Sequence, residues 1–457
     1  MIKADTIVAI ATPQGVGALG LIRLSGADSF FICEKVFRGK KLSLQASHTV
    51  HYGYIYENDV LIDEVMVSIF KAPKSFTTED VIEISCHGST YIVQRILQVL
   101  LNHGARLAEA GEFTMRAFLH GRIDLAQAEA VADLIASESA MQHSIALDQM
   151  RGGFSNQLKA LREELIDFSA LIELELDFSE EDVEFVDRKE LKKLVEKIKL
   201  KVLELLNSFK LGNAIKNGIP VAIVGKPNAG KSTLLNTLLN DERAIVSEIA
   251  GTTRDTIEEI LTIEGIQFRL IDTAGIRTTT DTVEAIGVAK ALEKIAQASV
   301  LIYLFDINDT SIEEVRAAIN TYSRDSLKII LCPTKIDLHS AKDWEQWLID
   351  FQPLAAAVIG ISAKESTNIA LLKQEMLFSV SHINTQQSIV TNARHYESLL
   401  RANHSLDEIL LGIDNELTQE LIALDLRTAL SHLASITGSV DNEEILASIF
   451  GKFCIGK

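Results

Sequence analysis

The octapeptide GKPNAGKS, Gly225 to Ser232, sits between the branched-apolar run IPVAIVG and the helical pattern STLLNTLLN. It matches GxxxxGK[ST], and a strand feeding a glycine-rich turn that opens a helix commits the surrounding chain to a layered α/β arrangement. Backbone amides of such a turn curl around phosphate oxygens, Lys231 offers a mobile cation to the β and γ phosphates, and the Ser232 hydroxyl reaches magnesium. Asn228, Ala229, Gly230 and Thr233 complete the phosphate-facing stretch.

The runs IQFRLID, SVLIYLFD, LKIILCP and AAAVIGISA are short and rich in branched residues, as buried parallel strands require. The first ends at Asp272, placed to hold the magnesium shell, and the backbone of Gly275 beyond it can sense the γ phosphate. Between the two motifs, IAGTTRDTIEE supplies Thr252 and Thr253 in a polar loop suited to a switch segment. Position 276 is isoleucine, so no glutamine there orients an attacking water; another polar residue or a partner is needed, and Glu284 in TTTDTVEAIG is a candidate whose alternative reading is a helix-start glutamate. Asn228 could coordinate a monovalent cation beside the phosphates, the alternative being that it only sets the loop's geometry.

LKIILCPTKIDLHS, residues 327–340, reads as a buried strand ending in a base-reading loop. The Asp337 carboxylate can accept from the N1–H and exocyclic amine of guanine, whereas adenine presents a lone pair, so one group both attracts guanine and repels adenine. Lys335 is expected to lie along the base and the phosphate loop. Thr334 stands where such loops normally carry asparagine. It keeps one hydroxyl donor of shorter reach, which implies weakened guanine binding or, as the alternative, a decayed base site. In ISAKES, the Ala363 amide can donate to the guanine carbonyl, with Ser362 and Lys364 shaping the loop.

With 457 residues, 47% of them hydrophobic, the chain is long enough for two or three domains with real cores. A net charge of −19 opposes indiscriminate binding to a phosphate backbone. Cys33, Cys86, Cys332 and Cys454 are widely spaced and form no zinc pattern, consistent with reduced thiols in the cytoplasm. No run approaches a membrane span, and the ending FCIGK fits a prenylation signal poorly. Strand-like segments and one helix over residues 1–119 predict a small α+β unit. Residues 120–216 and 377–457 are helical in periodicity, so the α/β segment 217–376 is expected to be inserted into a helical domain. The acidic run Glu180 to Glu184 reads as a solvated loop.

Beyond these motifs, DTIVAIATPQG, GLIRLSG, SFTTEDVIEISCHG, GEFTMRAFLHGRIDLAQAEAVADLI and the terminal FCIGK resemble the MnmE (TrmE) family of tRNA-modifying GTPases over essentially the whole chain. The resemblance implies a multidomain α/β and α protein: an N-terminal α+β folate-binding and dimerisation domain, a helical domain, and an inserted P-loop GTPase domain of Ras-like Rossmannoid fold. It implies 5-formyltetrahydrofolate or a related formyl-tetrahydrofolate held by Arg23, Glu83, Arg122 and Lys457. Magnesium would be held by Ser232, Thr253 and Asp272, and potassium by Asn228, Val246, Ile249 and Thr252. Glu284, Lys231 and Thr253 would carry GTP hydrolysis.

The implied assembly is a homodimer joined by an FAD-containing, MnmG-like subunit in a heterotetrameric or larger complex. Together they would add a carboxymethylaminomethyl-type group to C5 of the wobble uridine of certain tRNAs. Thr334, the loop SCHGST and Arg122, where the family carries lysine, depart from the family pattern. A GTP-dependent RNA or assembly-factor switch without a modification role is the alternative, distinguished by the folate-type charges and by Lys457. Asp337 opposes an ATPase.

Overall fold

The computed structural model describes residues 5–177, 188–240, 258–272, 298–324, 327–339, 349–355, 357–379 and 389–438, with the single positions 295, 347, 446, 453 and 456 and residues 449–451. They form two compact units, one of residues 1–136, 146–199 and 401–457, the other of residues 137–145 and 200–400. The whole is multidomain α/β and α.

In the first unit, β1 (Ile7–Ile10), β2 (Leu19–Ser25), α1 (Ser29–Val36), β3 (Phe37–Gly39), β4 (Thr49–Glu57), β5 (Val60–Phe70), β6 (Val81–His87), α2 (Thr90–Asn102) and β7 (Arg106–Leu107) follow one another. The sheet order is β3-β4-β5-β6-β2-β1-β7, antiparallel except where β7 joins β1. Alternation decides its faces. Val65, Val67 and Ile69 of β5 and Ile82, Ile84 and Cys86 of β6 are buried in one core with Ile96 and Leu100 of α2. Arg23 of β2 and Glu83 of β6, directly paired in register, fall between those core positions and take the opposite face. Burial pushes the Cys33 and Cys86 thiols up to about 12 and about 11, which makes them packing residues rather than nucleophiles.

Helices follow: α3 (Glu112–Leu119), α4 (Leu125–Ile135), α5 (Ala140–Met150), α6 (Gly153–Asp177) and α7 (Arg188–Asn217). The Asp124 side chain and Gln127 form a reciprocal capping box that starts α4. The charge run at Glu180 to Glu184 lies outside the described residues.

The second unit is built on β8 (Ile219–Gly225), α8 (Lys231–Asn240), β9 (Glu258–Ile263), β10 (Ile266–Asp272), β11 (Val300–Asp306), α9 (Ile312–Tyr322), β12 (Lys328–Thr334), β13 (Ala357–Val358) and α10 (Ile369–Phe378). Its sheet runs β13-β12-β11-β8-β10-β9. The β8, β10, β11, β12 and β13 pairings are parallel, and β9 runs antiparallel to β10 through a turn at Glu264–Gly265. Both faces are covered: Ile223, Ile302 and Leu304 pack on the side of α8 and α10, while Leu301, Phe305 and Leu331 pack on the side of α9. Within the expected strand AAAVIGISA, Ala357–Val358 is a strand, while Ile361 and Ser362 form isolated bridges that serve the site.

The chain closes with α11 (Ala393–Asp414) and α12 (Gln419–Thr437). In the first unit α12 packs against α6 and α4, and Phe450 joins Leu125 and Ala128 in a small core. Among the described residues no helix is long and apolar enough to cross a membrane.

Candidate functional site: a phosphate and base site, and a charged sheet face

At the carboxyl end of β8 the backbone bends through Lys226–Gly230 into α8. A Cβ on Gly225 would lie 2.2 Å from the Leu304 carbonyl oxygen of β11, so the strand can approach its neighbour only as glycine. Gly230 has φ +91 and Asn228 φ +66, left-handed conformations that glycine adopts freely and asparagine tolerates. Lys231 Nζ donates to the carbonyls of Gly225 (2.7 Å) and Lys226 (2.9 Å), bending over the loop from which phosphate oxygens would recruit it. Ser232 and Thr233 are exposed at the first turn of α8, and Ala229 is buried beneath the loop. Asp272 ends β10 beside Ile223 of β8. Val246, Ile249, Thr252, Thr253, Gly275, Ile276 and Glu284 lie outside the described residues.

The base-reading segments converge next to this loop. Thr334 pairs with Ile361 in a parallel bridge, and the Ile361 amide donates to the Pro333 carbonyl at 2.8 Å. Asp337 is exposed on a short 3-10 turn, and hydrogen bonding from the Ser362 hydroxyl holds its carboxyl below the usual carboxylate range. It is therefore an ionised acceptor. Ser362 is itself buried and exchanges backbone hydrogen bonds with Thr367, which fixes the loop carrying Ala363 and exposed Lys364. Thr237 of α8 donates to the Ala363 carbonyl at 2.9 Å and so ties the phosphate helix to this loop.

Two expectations change in detail. Thr334 is 5% exposed and its hydroxyl donates to the Phe305 carbonyl at 3.2 Å, so its single proton faces the sheet. Lys335, at φ +60, pairs with Asp306 at 2.8 Å instead of lying along the phosphate loop. Burial pushes the Asp306 carboxyl up, but Lys335 and the Asn308 amide outweigh it and hold it below its usual range.

In the first unit, Arg23 and Glu83 form a two-armed pair, Nε to Oε1 at 2.8 Å and Nη2 to Oε1 at 2.7 Å. Arg23 Nη1 also donates to the Gly456 carbonyl at 3.4 Å, and its guanidinium lies 5.7 Å from the Phe113 ring centre. Gly456 is thereby brought to the sheet face, with Lys457 outside the described residues. Arg122 donates to the Ser75 carbonyl and lies over Phe76.

A buried ion cluster holds the frame around them. Arg116, 2% exposed, binds Asp5 (2.7 Å), Glu79 (3.0 Å) and Glu112 (2.9 Å), while Arg106 binds Asp5 and Glu112 at 2.6 Å each. Hydrogen bonding from Arg106 draws the Asp5 carboxyl down. At Glu112 burial pushes upward, but Arg106, the Glu109 amide and Arg116 prevail and keep it low. Sequence reading did not single out Phe113, Arg116, Thr237, Asp306 or Glu314. Only Glu314 carried a local signal, as N3 of the S-x-x-E capping box of α9.

The sequence profile of the GTP-binding protein TrmE N-terminus matches residues 6–122, and that of the MnmE helical domain matches residues 125–454. The tRNA modification GTPase MnmE of Cytophaga hutchinsonii is 54% identical over 99% of this chain and 98% of its own, and that of Flavobacterium johnsoniae is 52% identical over 100% of both. Among solved structures, Aquifex aeolicus Era bound to GDP and aluminium fluoride matches 41% of this chain and 66% of its own at 26% identity, with a TM-score of 0.29. Two adjoining domain profiles and end-to-end identity above one half place the chain in the MnmE (TrmE) family of tRNA modification GTPases.

Proposed function

We propose that this GTPase drives the addition of a carboxymethylaminomethyl-type group to C5 of the wobble uridine of certain tRNAs, as a cytoplasmic homodimer working with an FAD-containing partner subunit. The one-carbon unit comes from a formyl-tetrahydrofolate. The single observation that carries this function is the convergence of Arg23, Glu83, Phe113 and the Gly456 carbonyl on one half-buried face. A cation for a carboxylate and an anion for ring nitrogens, with Arg23 braced against buried Phe113, suit a pterin-glutamate, and an interaction switch has no use for them. When bound, the folate supplies the carbon; Arg23, Glu83, Arg122 and Lys457 orient it.

In the nucleotide site Asp337 selects guanine, with Thr334, Lys335, Ser362, Ala363 and Lys364 around the base. Asn228, Ala229, Gly230, Lys231, Ser232 and Thr233 hold the phosphates and Gly275 senses the last of them. Ser232, Thr253 and Asp272 hold magnesium. Asn228, Val246, Ile249 and Thr252 would hold potassium, whose positive charge beside the γ phosphate would add to that of Lys231. Glu284 directs the water, and release of phosphate resets the position of the folate domain.

Titration of the full chain with 5-formyltetrahydrofolate tests the folate assignment. Binding is expected to disappear in Arg23→Ala while GTP turnover persists, and tRNA treated with that variant and the partner subunit should lack the wobble modification. No binding of 5-formyltetrahydrofolate by the wild-type chain would leave the interaction switch as the better account, and binding unchanged in Arg23→Ala would remove Arg23 from the site.

A further inference from the structure

The missing asparagine poses a mechanical problem. In a base-reading loop, an asparagine at position 334 would donate to the base and tie that loop to the phosphate loop, two tasks that need separate amide protons. Thr334 has one proton, and it is committed to Phe305. The Pro333 carbonyl before it accepts from the Ile361 amide on the other side of β12, so the Thr334 hydroxyl is the side-chain group that turns toward β11.

What connects the two loops is the segment between β11 and α9. On one side, Asp306 is 7% exposed and accepts from Lys335 Nζ at 2.8 Å, from the Asn308 amide at 3.0 Å and from Asn308 Nδ2 at 3.1 Å. Asn308 Nδ2 also lies 3.2 Å from Nε2 of His339, two residues after Asp337 in the chain. On the other side, Lys226 of the phosphate loop donates to the Asp309 carbonyl at 3.1 Å and to Glu314 at 2.8 Å. Glu314 is locked in turn by the α9 capping box, accepting from the Ser311 amide at 3.1 Å. The phosphate loop and the base loop thus grip the two ends of residues 306–314, which are joined between them by the turn in which the Asp309 amide donates to the Asp306 carbonyl at 3.1 Å.

We propose that Asp306, seconded by Glu314, is a positioning residue for guanine nucleotide binding that supplies the loop-to-loop tether lost with asparagine at 334. This rests on the assignment of Asp337 as the guanine reader. The two links differ in weight. Asp306 is nearly buried, and removing one partner of such a pair is costly, whereas Lys226 and Glu314 are both about half exposed and their pairing is screened.

Titration calorimetry on the full chain with GDP and magnesium tests it. Asp306→Asn keeps the shape but turns an amide donor toward Lys335, and affinity should fall by about tenfold. Adding Thr334→Asn to that variant should recover most of the loss, while Thr334→Asn alone should gain less than the recovery, the non-additivity expected of two groups sharing one task. Glu314→Gln retains the capping box and an exposed surface, so it folds, and it should cost about twofold to threefold. Wild-type affinity in both Asp306→Asn and Glu314→Gln, or a loss in Asp306→Asn that Thr334→Asn leaves untouched, would overturn the tether. Equal binding of ADP and GDP by the wild type would instead remove the guanine assignment on which it rests.

Discussion

At Asp337, replacing the carboxylate by an amide turns an acceptor into a donor on one arm, and the hydroxyl of Ser362 that now serves the anion loses its reason to point there. Guanine N1–H and its amine then face the wrong partner, whereas xanthine carries a carbonyl in place of that amine. Asp337→Asn is expected to weaken GDP by about a hundredfold or more and to strengthen xanthosine diphosphate, measured by displacement of a fluorescent nucleotide. Gly230→Ala meets no neighbour within 4 Å but inherits φ +91, so the loss is conformational: nucleotide affinity should fall while the fold survives. Lys231, Asp337 and Gly230 were legible because a motif fixes their spacing to phosphate or base. Asp306 was not. It is a strand-end aspartate with no local signature, and its meaning comes from Lys335, 29 positions on and brought beside it by the parallel register of β11 and β12.

Among elements, the buried parallel strands β8, β10, β11 and β12 were readable because both faces are covered and their sequences are almost uniformly apolar. The antiparallel β9 was passed over: EEILTI alternates, but it adjoins the polar IAGTTRDTIEE stretch, and the Glu264–Gly265 turn is the feature that marks the hairpin. AAAVIGISA was read as one strand because its apolar run is long. Ala357–Val358 pair as a strand, while Ile361 and Ser362 are drawn off into bridges that support the base loop. The β8–β11 contact is tight enough to test directly. Gly225→Ala would place a Cβ 2.2 Å from the Leu304 oxygen, forcing the strands apart at a cost of about 1–3 kcal/mol, read as a fall in urea midpoint.

For the whole molecule, the two units carry different vulnerabilities. The first is framed by the Arg116 cluster, in which three carboxylates depend on two guanidinium groups. Arg116→Met should cost about 3–5 kcal/mol, because Asp5, Glu79 and Glu112 lose a nearly buried counter-charge. Asp5 and Glu112 are held below their ordinary values of 3.8 and 4.5, so the cluster contributes stability above those values and loses it as pH falls through the lowered ones. Circular dichroism should therefore show stability falling once pH drops below those ordinary carboxylate values, with the fall setting in at higher pH in Arg116→Met. The second unit stands or falls with guanine recognition, since a GTPase of this family whose loop carries Thr334 must still discriminate its nucleotide. Titration calorimetry of the wild-type chain with GDP and with ADP, in potassium and magnesium, tests this most directly. The account predicts saturable heat with GDP and none with ADP; comparable binding of both, or binding of neither until Thr334→Asn is made, would contradict it.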